Sequence, residues 1–448
     1  MQTHFTLAQL ADPDVSEANA ILRRCTHCGF CTATCPTFVL LGDELDSPRG
    51  RIYLMKNMLE NQETPSAKTV LHVDRCLSCL SCMTTCPATV HYMHLVDMGR
   101  AYIEKHYTRP LPDRALRWLL TKVLPYPGRF RLALAGAWFA RPFAGLLPGR
   151  MKAMTAMAPR RIPSPSPVDR PQVFPAEGRR RARVALMNGC AQQVIGPEIN
   201  EATIRLLTRH GVEVVVAKGA GCCGALTHHM GHENHAFAAA RANIAAWTRE
   251  ADGEGLDAVI INTSGCGTTV KDYGFMLRND PAWAERAERI AGLTRDVSEF
   301  MAELGLMAPV RRADLRVTYH SACSMQHGQG ITRQPKQLLE AAGFAVRDGP
   351  EGHICCGSAG TYNLTQPEIA GRLRARKAAN IASTEPEVVA AGNVGCIEQI
   401  APAVDAPVVH TVELLDWATG GRLPKAIEGT PLAERMRAAA PTPAMAAQ

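Results

Sequence analysis

Short apolar runs alternate with amphipathic stretches along the second half of the chain, from residue 182 onward. In order, this part reads as a strand, a cysteine, a helix, a strand, Cys-Cys-Gly, a helix, a strand and a further cysteine. Apolar strands that alternate with helices are typical of parallel βαβ units. We therefore expect an α/β architecture with its functional residues at the carboxyl ends of the strands.

The order of these elements occurs twice, which indicates an internal duplication. Three pairs of segments match at offsets of 133, 133 and 130 residues. We predict a first half at 182–310 and a second half at 311–425. The matching segments are 183–190 with 316–323, 221–224 with 354–357, and 259–266 with 389–396.

Residues 1–108 have a different pattern, in which predicted helices at 14–22 and 52–60 surround two cysteine motifs. Both motifs read Cys-x2-Cys-x2-Cys-x3-Cys-Pro, the bacterial ferredoxin pattern for [4Fe–4S] clusters. In two-cluster ferredoxins the fourth cysteine of each motif binds the other cluster. We therefore assign one cluster to Cys25, Cys28, Cys31 and Cys86, and the second to Cys76, Cys79, Cys82 and Cys35.

Zinc and disulfide bonds are weaker interpretations of these eight cysteines. Zinc takes four ligands and does not explain a third cysteine at x2 spacing followed by x3-Cys-Pro, twice. Nothing in the sequence indicates an oxidising compartment, in which disulfides would form. Arg49 and Arg51 lie between the motifs and are either partners of a negatively charged cluster or solvated side chains.

Charge separates a connector at 109–181 from the flanking regions. The formal net charge is +7, yet residues 109–183 contain 16 Lys and Arg against 3 acidic residues. Apolar stretches at 118–124 and 132–140 are framed by arginines, which is also the pattern of an interfacial membrane helix. We favour a helical pair that packs on a partner subunit or the next domain, and keep peripheral membrane contact through 109–160 as the alternative.

Composition indicates a multidomain globular protein of 448 residues with 46% hydrophobic content. We find neither a signal peptide nor an apolar run long enough to span a membrane. The predicted location is cytoplasmic, with peripheral attachment to the cytoplasmic face of the inner membrane as a further option. Residues 426–448 are predicted to be a disordered tail.

The remaining eight cysteines follow predicted strand ends, so each half can gather four thiols at one sheet edge. An iron–sulfur cluster, a redox-active or other metal site, and structural thiols are all open interpretations of each set. Several histidines lie near these thiols: His228, His229, His232 and His235 in the first half, and His320, His327 and His353 in the second. We expect an exposed or capping role for the first group. The two thiol sets are Cys190, Cys222, Cys223 and Cys266, and Cys323, Cys355, Cys356 and Cys396.

A doubled Cys, Cys-Cys-Gly, Cys pattern behind a double ferredoxin motif resembles the cysteine-rich CCG superfamily. This superfamily includes chains of heterodisulfide reductases and of anaerobic glycerol-3-phosphate dehydrogenases, and lactate-utilisation proteins. Residues 1–425 most resemble the iron–sulfur subunits of glycolate oxidases. Phrases that carry the resemblance are Cys25-Thr26-His27-Cys28-Gly29, Ser47-Pro48-Arg49-Gly50-Arg51, Asn188-Gly189-Cys190-Ala191-Gln192 and Cys355-Cys356-Gly357-Ser358-Ala359.

The resemblance implies a mainly helical two-cluster ferredoxin domain followed by a duplicated α/β CCG domain with parallel strands. It also implies an oxidoreductase complex in which separate FAD subunits oxidise glycolate to glyoxylate. This chain would accept their electrons and pass them to an acceptor such as quinone. The sequence has no Gly-x-Gly-x-x-Gly after a strand and no Walker loop, so we expect FAD on partner subunits only and no catalytic residue on this chain.

One departure from the superfamily concerns the end of each half. Heterodisulfide reductase motifs that build non-cubane clusters end in Cys-x-x-Cys, whereas Thr269 follows Cys266 and Gln399 follows Cys396. The five-cysteine chemistry that reduces disulfides therefore loses support. Two alternatives to an electron-transfer subunit remain: a disulfide-reducing or lactate or glycerol-3-phosphate dehydrogenase type of CCG protein, and a scaffold without redox function.

Overall fold

A computed structural model describes residues 1–146, 151–152, 154–155, 158–159 and 161–439. The N-terminal domain is helical, and local sequence sets the helix starts. Asp12 accepts hydrogen bonds from the N–H groups of Asp14 and Val15, and Ser47 accepts one from Gly50, which satisfies otherwise free helix donors. The helices are α1 Leu7–Leu10, α2 Pro13–Arg24, α3 Pro36–Leu41, α4 Pro48–Asn61, α5 Ala67–Asp74, α6 Ser81–Thr85 and α7 Tyr92–His106.

The core of the N-terminal domain lies between α2, α4 and α7. Leu22, Met55 and Leu95 are fully buried there and belong to one hydrophobic cluster. Gly99 on α7 permits this close packing, since a Cβ at Gly99 would lie 2.6 Å from the sulfur of Met55. Cys25 and Cys76 belong to the same cluster, so the first cysteine of each motif is held by the hydrophobic core.

Two helices follow, α8 Leu111–Val123 and α9 Pro127–Ala140. One face of α9 packs on the next domain, where Leu134 and Val194 are buried together. Arg131 donates a hydrogen bond of 2.6 Å to the carbonyl of Gln193. The packing of the helical pair on the next domain is therefore present in the structure. Among the described residues, none of the helices is both long and apolar enough to cross a membrane.

The first half of the CCG domain contains a five-stranded sheet in the order β1-β3-β2-β4-β5. All neighbouring strands are parallel except β1 and β3. The strand β1 lies in the predicted connector, so the structured first half begins before residue 182. The strands are β1 Gln172–Phe174, β2 Ala182–Leu186, β3 Val212–Val216, β4 Ala258–Ile261 and β5 Thr294–Asp296.

Helices cover both faces of this sheet, as expected for a parallel sheet. They are α10 Gln192–Ile195, α11 Pro197–Arg209, α12 Ala225–His228, α13 Glu233–Asp252, α14 Ser264–Lys271, α15 Tyr273–Met276, α16 Ala284–Leu293 and α17 Val297–Leu304.

The second half repeats the central strands in a parallel four-stranded sheet of order β7-β6-β8-β9. Its strands are β6 Arg316–His320, β7 Ala345–Asp348, β8 Val388–Ala391 and β9 Val408–His410. Its helices are α18 Gln334–Ala341, α19 Tyr362–Thr365, α20 Pro367–Ala382, α21 Val394–Ile400, α22 Thr411–Ala418 and α23 Pro431–Ala438.

A single hydrophobic cluster joins the two halves. It includes Leu186 of the first sheet and Tyr319 of the second, and α11 packs against α22. Met436 on α23 is fully buried in this cluster. The predicted disorder of residues 426–448 is therefore wrong for residues 426–439, because α23 buries apolar side chains in the shared core. Residues 440–448 lie outside the described part. The predicted fold class, helical then duplicated α/β with parallel strands, is confirmed.

Candidate metal centres

The first ferredoxin motif forms a loop at the end of α2. Cys25, Cys28, Cys31 and Cys86 line one cavity, bordered also by Cys82. Cys28 and the neighbouring Phe30 lie at the protein surface, Phe30 with an exposed fraction of 64%. This cavity therefore brings together the four cysteines predicted for the first cluster, next to exposed protein surface.

Burial sets the proton affinity of these thiols. It raises the pKa of Cys31 to about 11 and also raises the pKa of Cys25, whereas the N–H of Phe30 lowers the pKa of Cys28. A buried thiolate without a cation is unfavourable. Bound iron would supply that cation, so the donor set fits a cluster with thiolate ligands.

The cysteines of the second ferredoxin motif lie deeper in the protein than those of the first. Burial raises the pKa of Cys79 and Cys82 well above the usual range, and Cys35 of the first motif lies close enough to add to both shifts. Cys35 precedes α3, directly before Pro36. The structure thus brings the last cysteine of the first motif to the thiols of the second, as the crossed assignment requires.

The residues on either side of each middle cysteine have left-handed backbone conformations. His27 and Gly29 flank Cys28, and Ser78 and Leu80 flank Cys79. Such conformations are strained for residues other than glycine and are found where function constrains the loop. They turn both loops so that three cysteines at x2 spacing face one centre.

Arg51 forms a buried charged network beside Cys35. Its side chain is 1% exposed, and its guanidinium lies 3.2 Å from Asp46 Oδ1 and 3.8 Å from the sulfur of Cys35. His72 Nδ1 and Arg75 Nη1 also contact Asp46, at 3.0 and 2.9 Å. The solvated interpretation is wrong for Arg51, which is buried beside Cys35. Arg49 pairs with Glu44 at 2.6 Å and also lines the cavity of the first motif.

In the first half of the CCG domain, four thiols meet at the carboxyl edge of the sheet. Cys222 interacts with Cys190 and Cys223, and Cys223 interacts with Cys266. Contacts with Cys190 and Cys223 lower the pKa of Cys222, while the same contacts raise the pKa of Cys190 and Cys223. The predicted gathering of thiols at this sheet edge is present.

The second half repeats this arrangement. The sulfur atoms of Cys323 and Cys355 are 3.7 Å apart, and the N–H of Gly357 lies 3.4 Å from the sulfur of Cys355. Cys356 and Cys396 lie on the inner side, both buried. Gly357 has φ +91°, and a Cβ there would lie 2.7 Å from the carbonyl oxygen of Ala370, which explains the glycine of the Cys-Cys-Gly motif.

The second thiol set adjoins the second ferredoxin motif. Cys79, Cys355 and the flanking Leu77 and Ile354 form one buried cluster, with Cys323 packed at its edge. Tyr362 donates a hydrogen bond of 3.0 Å to the carbonyl of Arg75. Sequence reasoning did not predict this contact, because a local motif carries no signal for which distant surface it packs against.

The positions that would hold a fifth cysteine have other roles. Gln399 accepts a hydrogen bond from Asn363 at 3.1 Å and donates to the carbonyls of Ala370 and Cys356 at 3.3 and 3.5 Å. Thr269 bonds the helix carbonyl of Gly265. Both side chains support backbone structure around the thiols.

Histidines after the first Cys-Cys-Gly bind the ferredoxin domain. His229 Nδ1 lies 3.0 Å and His228 Nε2 3.5 Å from Asp97, and His232 lies 3.7 Å from Glu104. The expected exposed or capping role is wrong for His228, whose side chain is only 12% exposed and contacts Asp97 of the ferredoxin domain. Two residues of the second half were not predicted to belong to a site. The sequence places His320 near the second thiol set without indicating a role for it, and it has no pattern that singles out Lys377.

Comparison with known proteins agrees with this geometry. A 4Fe-4S dicluster domain model matches residues 24–90, and a cysteine-rich domain model matches 184–271 and 317–401. The glycolate oxidase iron–sulfur subunit of Escherichia coli is 41% identical over 93% of this chain and 99% of its own length. This chain belongs to the glycolate oxidase iron–sulfur subunit family.

Other members and relatives give the same picture. A probable glycolate oxidase iron–sulfur subunit of Bacillus subtilis is 31% identical over 89% of this chain and 94% of its own length. Lactate utilization protein A of Bacillus licheniformis is 27% identical over 52% of this chain and 99% of its own length. The predicted resemblance is confirmed: the chain is an iron–sulfur, electron-transferring oxidoreductase subunit of the glycolate oxidase type, with a ferredoxin and a CCG domain.

Proposed function

We propose that this chain relays electrons from separate FAD subunits, which oxidise glycolate to glyoxylate, to a downstream acceptor. The observation that carries the proposal is the contact between the second ferredoxin motif and the second thiol set, through Cys79 and Cys355. It supports a continuous series of cysteine sites from an exposed end at Cys28 to the CCG domain. Iron–sulfur clusters, when bound, accept and release single electrons.

We assign the ligands of the two [4Fe–4S] clusters crosswise. Cys25, Cys28, Cys31 and Cys86 would hold cluster 1, and Cys76, Cys79, Cys82 and Cys35 would hold cluster 2. The common cavity of the first four and the proximity of Cys35 to Cys79 and Cys82 support the assignment.

Residues of this chain would set the direction of electron transfer and the environment of the clusters. The exposed surface around Cys28 and Phe30 is where a flavin subunit would dock, because electron transfer requires a short distance to the donor. Arg51 supplies a buried positive charge beside Cys35, which would favour the more negative, reduced state of a cluster held there. Leu77 and Ile354 exclude water between the second motif and the second thiol set.

We propose that the eight CCG thiols form second-tier sites that receive electrons from the ferredoxin domain. Cys190, Cys222, Cys223 and Cys266 would hold one centre, and Cys323, Cys355, Cys356 and Cys396 the other. Their grouping in fours supports iron–sulfur binding over structural thiols, since unpaired structural cysteines have no need to meet in fours. Four of the eight are buried and the others partly buried; the buried ones are Cys223, Cys355, Cys356 and Cys396.

For the acceptor, we propose quinone reached by peripheral contact of 109–160 with a membrane. Large apolar side chains of α8, α9 and the following turn point to solvent, among them Trp118, Trp138, Phe139 and Phe143, with Phe139 70% exposed. Basic residues surround them, such as Arg129 and Arg141. Exposed aromatic residues within a basic segment are typical of an interfacial helix.

Vesicle sedimentation tests the membrane contact. Binding to vesicles with anionic lipid, weakened by Trp138→Ser with Phe139→Ser and unaffected by the exposed control Leu7→Ser, is the expected result. Equal binding by the wild type and the double variant would contradict it.

Co-purification with the flavin subunits, followed by anaerobic addition of substrate, tests the relay. Glycolate should bleach the visible iron–sulfur absorption of this chain, and bleaching should require the flavin subunits. Parallel additions of lactate and glycerol 3-phosphate test the alternative CCG types. Faster bleaching by lactate or glycerol 3-phosphate would show that this compound, and not glycolate, is the substrate. An absence of bleaching with all three compounds would contradict the relay.

A further inference from the structure

His320 is the last residue of β6 and lies beside Ala391 at the end of β8. Strand alternation places Val317 and Tyr319 in the core shared by the two halves, so His320 lies on the opposite face. Its side chain is buried, with an exposed fraction of 4%. His320 therefore belongs to the carboxyl edge of the sheet, where the second thiol set lies.

A ring nitrogen of His320 and the sulfur atoms of Cys356 and Cys396 lie within 4.8 Å of one another. Nε2 of His320 is buried and has no hydrogen-bond partner. A buried nitrogen without a partner is unfavourable unless another ligand, such as a metal, satisfies it. Imidazole nitrogen and thiolate sulfur are both ligands for iron.

We infer that His320 is a fifth protein ligand of a metal centre in the second half, together with Cys323, Cys355, Cys356 and Cys396. The inference rests on the proposed iron–sulfur function of the CCG thiols. Gln399 stands where a fifth cysteine would be, but its amide is bound to Asn363 and to backbone carbonyls. His320 supplies the additional donor to this centre instead.

The first half lacks this donor. The position corresponding to His320, at the offset of 133 residues, is Met187, which packs in the same cluster as Cys223. A second difference lies on the covering helix. Lys377 is buried on α20 near Cys355 and Cys356, whereas Asn243 on α13 contacts the carbonyl of Cys222 at 2.9 Å. At these two positions, among the described residues, the second half has an imidazole and a lysine, whereas the first half has neither.

As a fifth ligand, His320 adds a neutral donor and replaces none of the four thiolates, so it brings no further negative charge to the centre. The buried cation of Lys377 beside the thiols favours the more negative, reduced state and raises the potential. The second centre, which adjoins Cys79, is thereby suited to accept electrons from the ferredoxin domain, and we expect its potential to be higher than that of the first centre.

The test uses the full-length chain, reconstituted anaerobically with iron and sulfide after labelling with 15N-histidine. Pulsed electron paramagnetic resonance should detect strong coupling to a histidine nitrogen. The coupling should disappear in His320→Cys, which keeps a ligand and should retain the iron. His320→Ala should lose affinity for the iron of the second half by at least the roughly 10–100-fold that loss of an outer-shell partner costs.

Met187→Leu is the matched control in the first half and should leave the nitrogen coupling unchanged. Coupling that persists in His320→Cys, or iron content unchanged in His320→Ala, would overturn the inference. Ferredoxin signals with no iron in the second half would also overturn it while leaving the ferredoxin relay intact. Loss of all cluster signals from the wild type would instead refute the proposed function.

Discussion

Cys79 of the second ferredoxin motif and Cys355 of the second CCG half lie in one buried hydrophobic cluster. Two cysteine sets that the sequence separates by more than half of the chain are thereby neighbours in space. In the described part of the chain, the hydrophobic cluster that contains Cys223 and Cys266 of the first CCG half includes no ferredoxin cysteine. Electrons from the ferredoxin domain should therefore reach the second half first.

The crossed ligand assignment predicts that Cys79→Ser abolishes glycolate-driven reduction of the acceptor. A serine oxygen is a poor replacement for thiolate at a cluster, so cluster 2 should be lost or altered. Glycolate oxidation by the flavin subunits with an artificial dye should continue, because the flavin site is on the partners. Acceptor assays with and without the dye distinguish the two activities, and Cys28→Ser should give the same pattern.

Arg51→Met should lower stability strongly, because it leaves Asp46 buried with an incomplete set of partners. Removing one member of a buried charge network costs about 3–5 kcal/mol. Anaerobic thermal denaturation followed by circular dichroism measures the change. Arg49→Met is the matched control: its partner Glu44 is half-exposed, and such pairs contribute about 0–1 kcal/mol. Equal losses in the two variants would refute the buried network.

The buried carboxyl group of Glu413 should make the stability of the CCG domain depend on pH. Burial raises its pKa to about 7, although its carboxylate accepts a hydrogen bond of 2.8 Å from the N–H of His410. A carboxyl group with a raised folded-state pKa favours folding below its unfolded pKa, and this contribution is lost as pH rises through about 7. Wild-type stability should fall between pH 5 and pH 8 for this reason.

Glu413→Gln should remove that loss while keeping the hydrogen bond to His410. Its denaturation temperature should exceed that of the wild type at pH 8, by the equivalent of about 1–3 kcal/mol, and by less at pH 5. Glu434→Gln, at an exposed position of α23, should change little at either pH. If the denaturation temperatures of Glu413→Gln and the wild type differ by the same amount at pH 5 and pH 8, Glu413 is not a buried, titrating carboxyl group.

Features that depend on a fixed spacing of residues along the chain could be predicted from the sequence. The spacing in both ferredoxin motifs and both Cys-Cys-Gly motifs predicted which cysteines would lie close together, and the offset of 133 residues revealed the duplication. The short strand Gln172–Phe174 was missed because its neighbours are rich in proline and arginine, the composition of a linker. The helix Pro431–Ala438 was missed because its stability comes from packing Met436 in a distant core.

His320 illustrates a different limit. A single histidine at a strand end has no spacing that identifies it as a ligand, and the duplicated position has Met187. Only the fold shows that its ring lies beside Cys356 and Cys396. The proximity of Cys79 to the second half likewise depends on how two domains pack, for which a single sequence carries no signal.

Iron and acid-labile sulfide, counted per chain after anaerobic purification, test the central claim that this chain holds two cubane clusters and also loaded CCG centres. The two ferredoxin clusters account for about eight iron and eight sulfide, and we expect about twelve to sixteen of each. Cys355→Ser with Cys396→Ser should remove the iron of the second half and leave the ferredoxin signals. A count of about eight, unchanged in that variant, would contradict the role of the CCG thiols, and a chain without iron would refute the whole account.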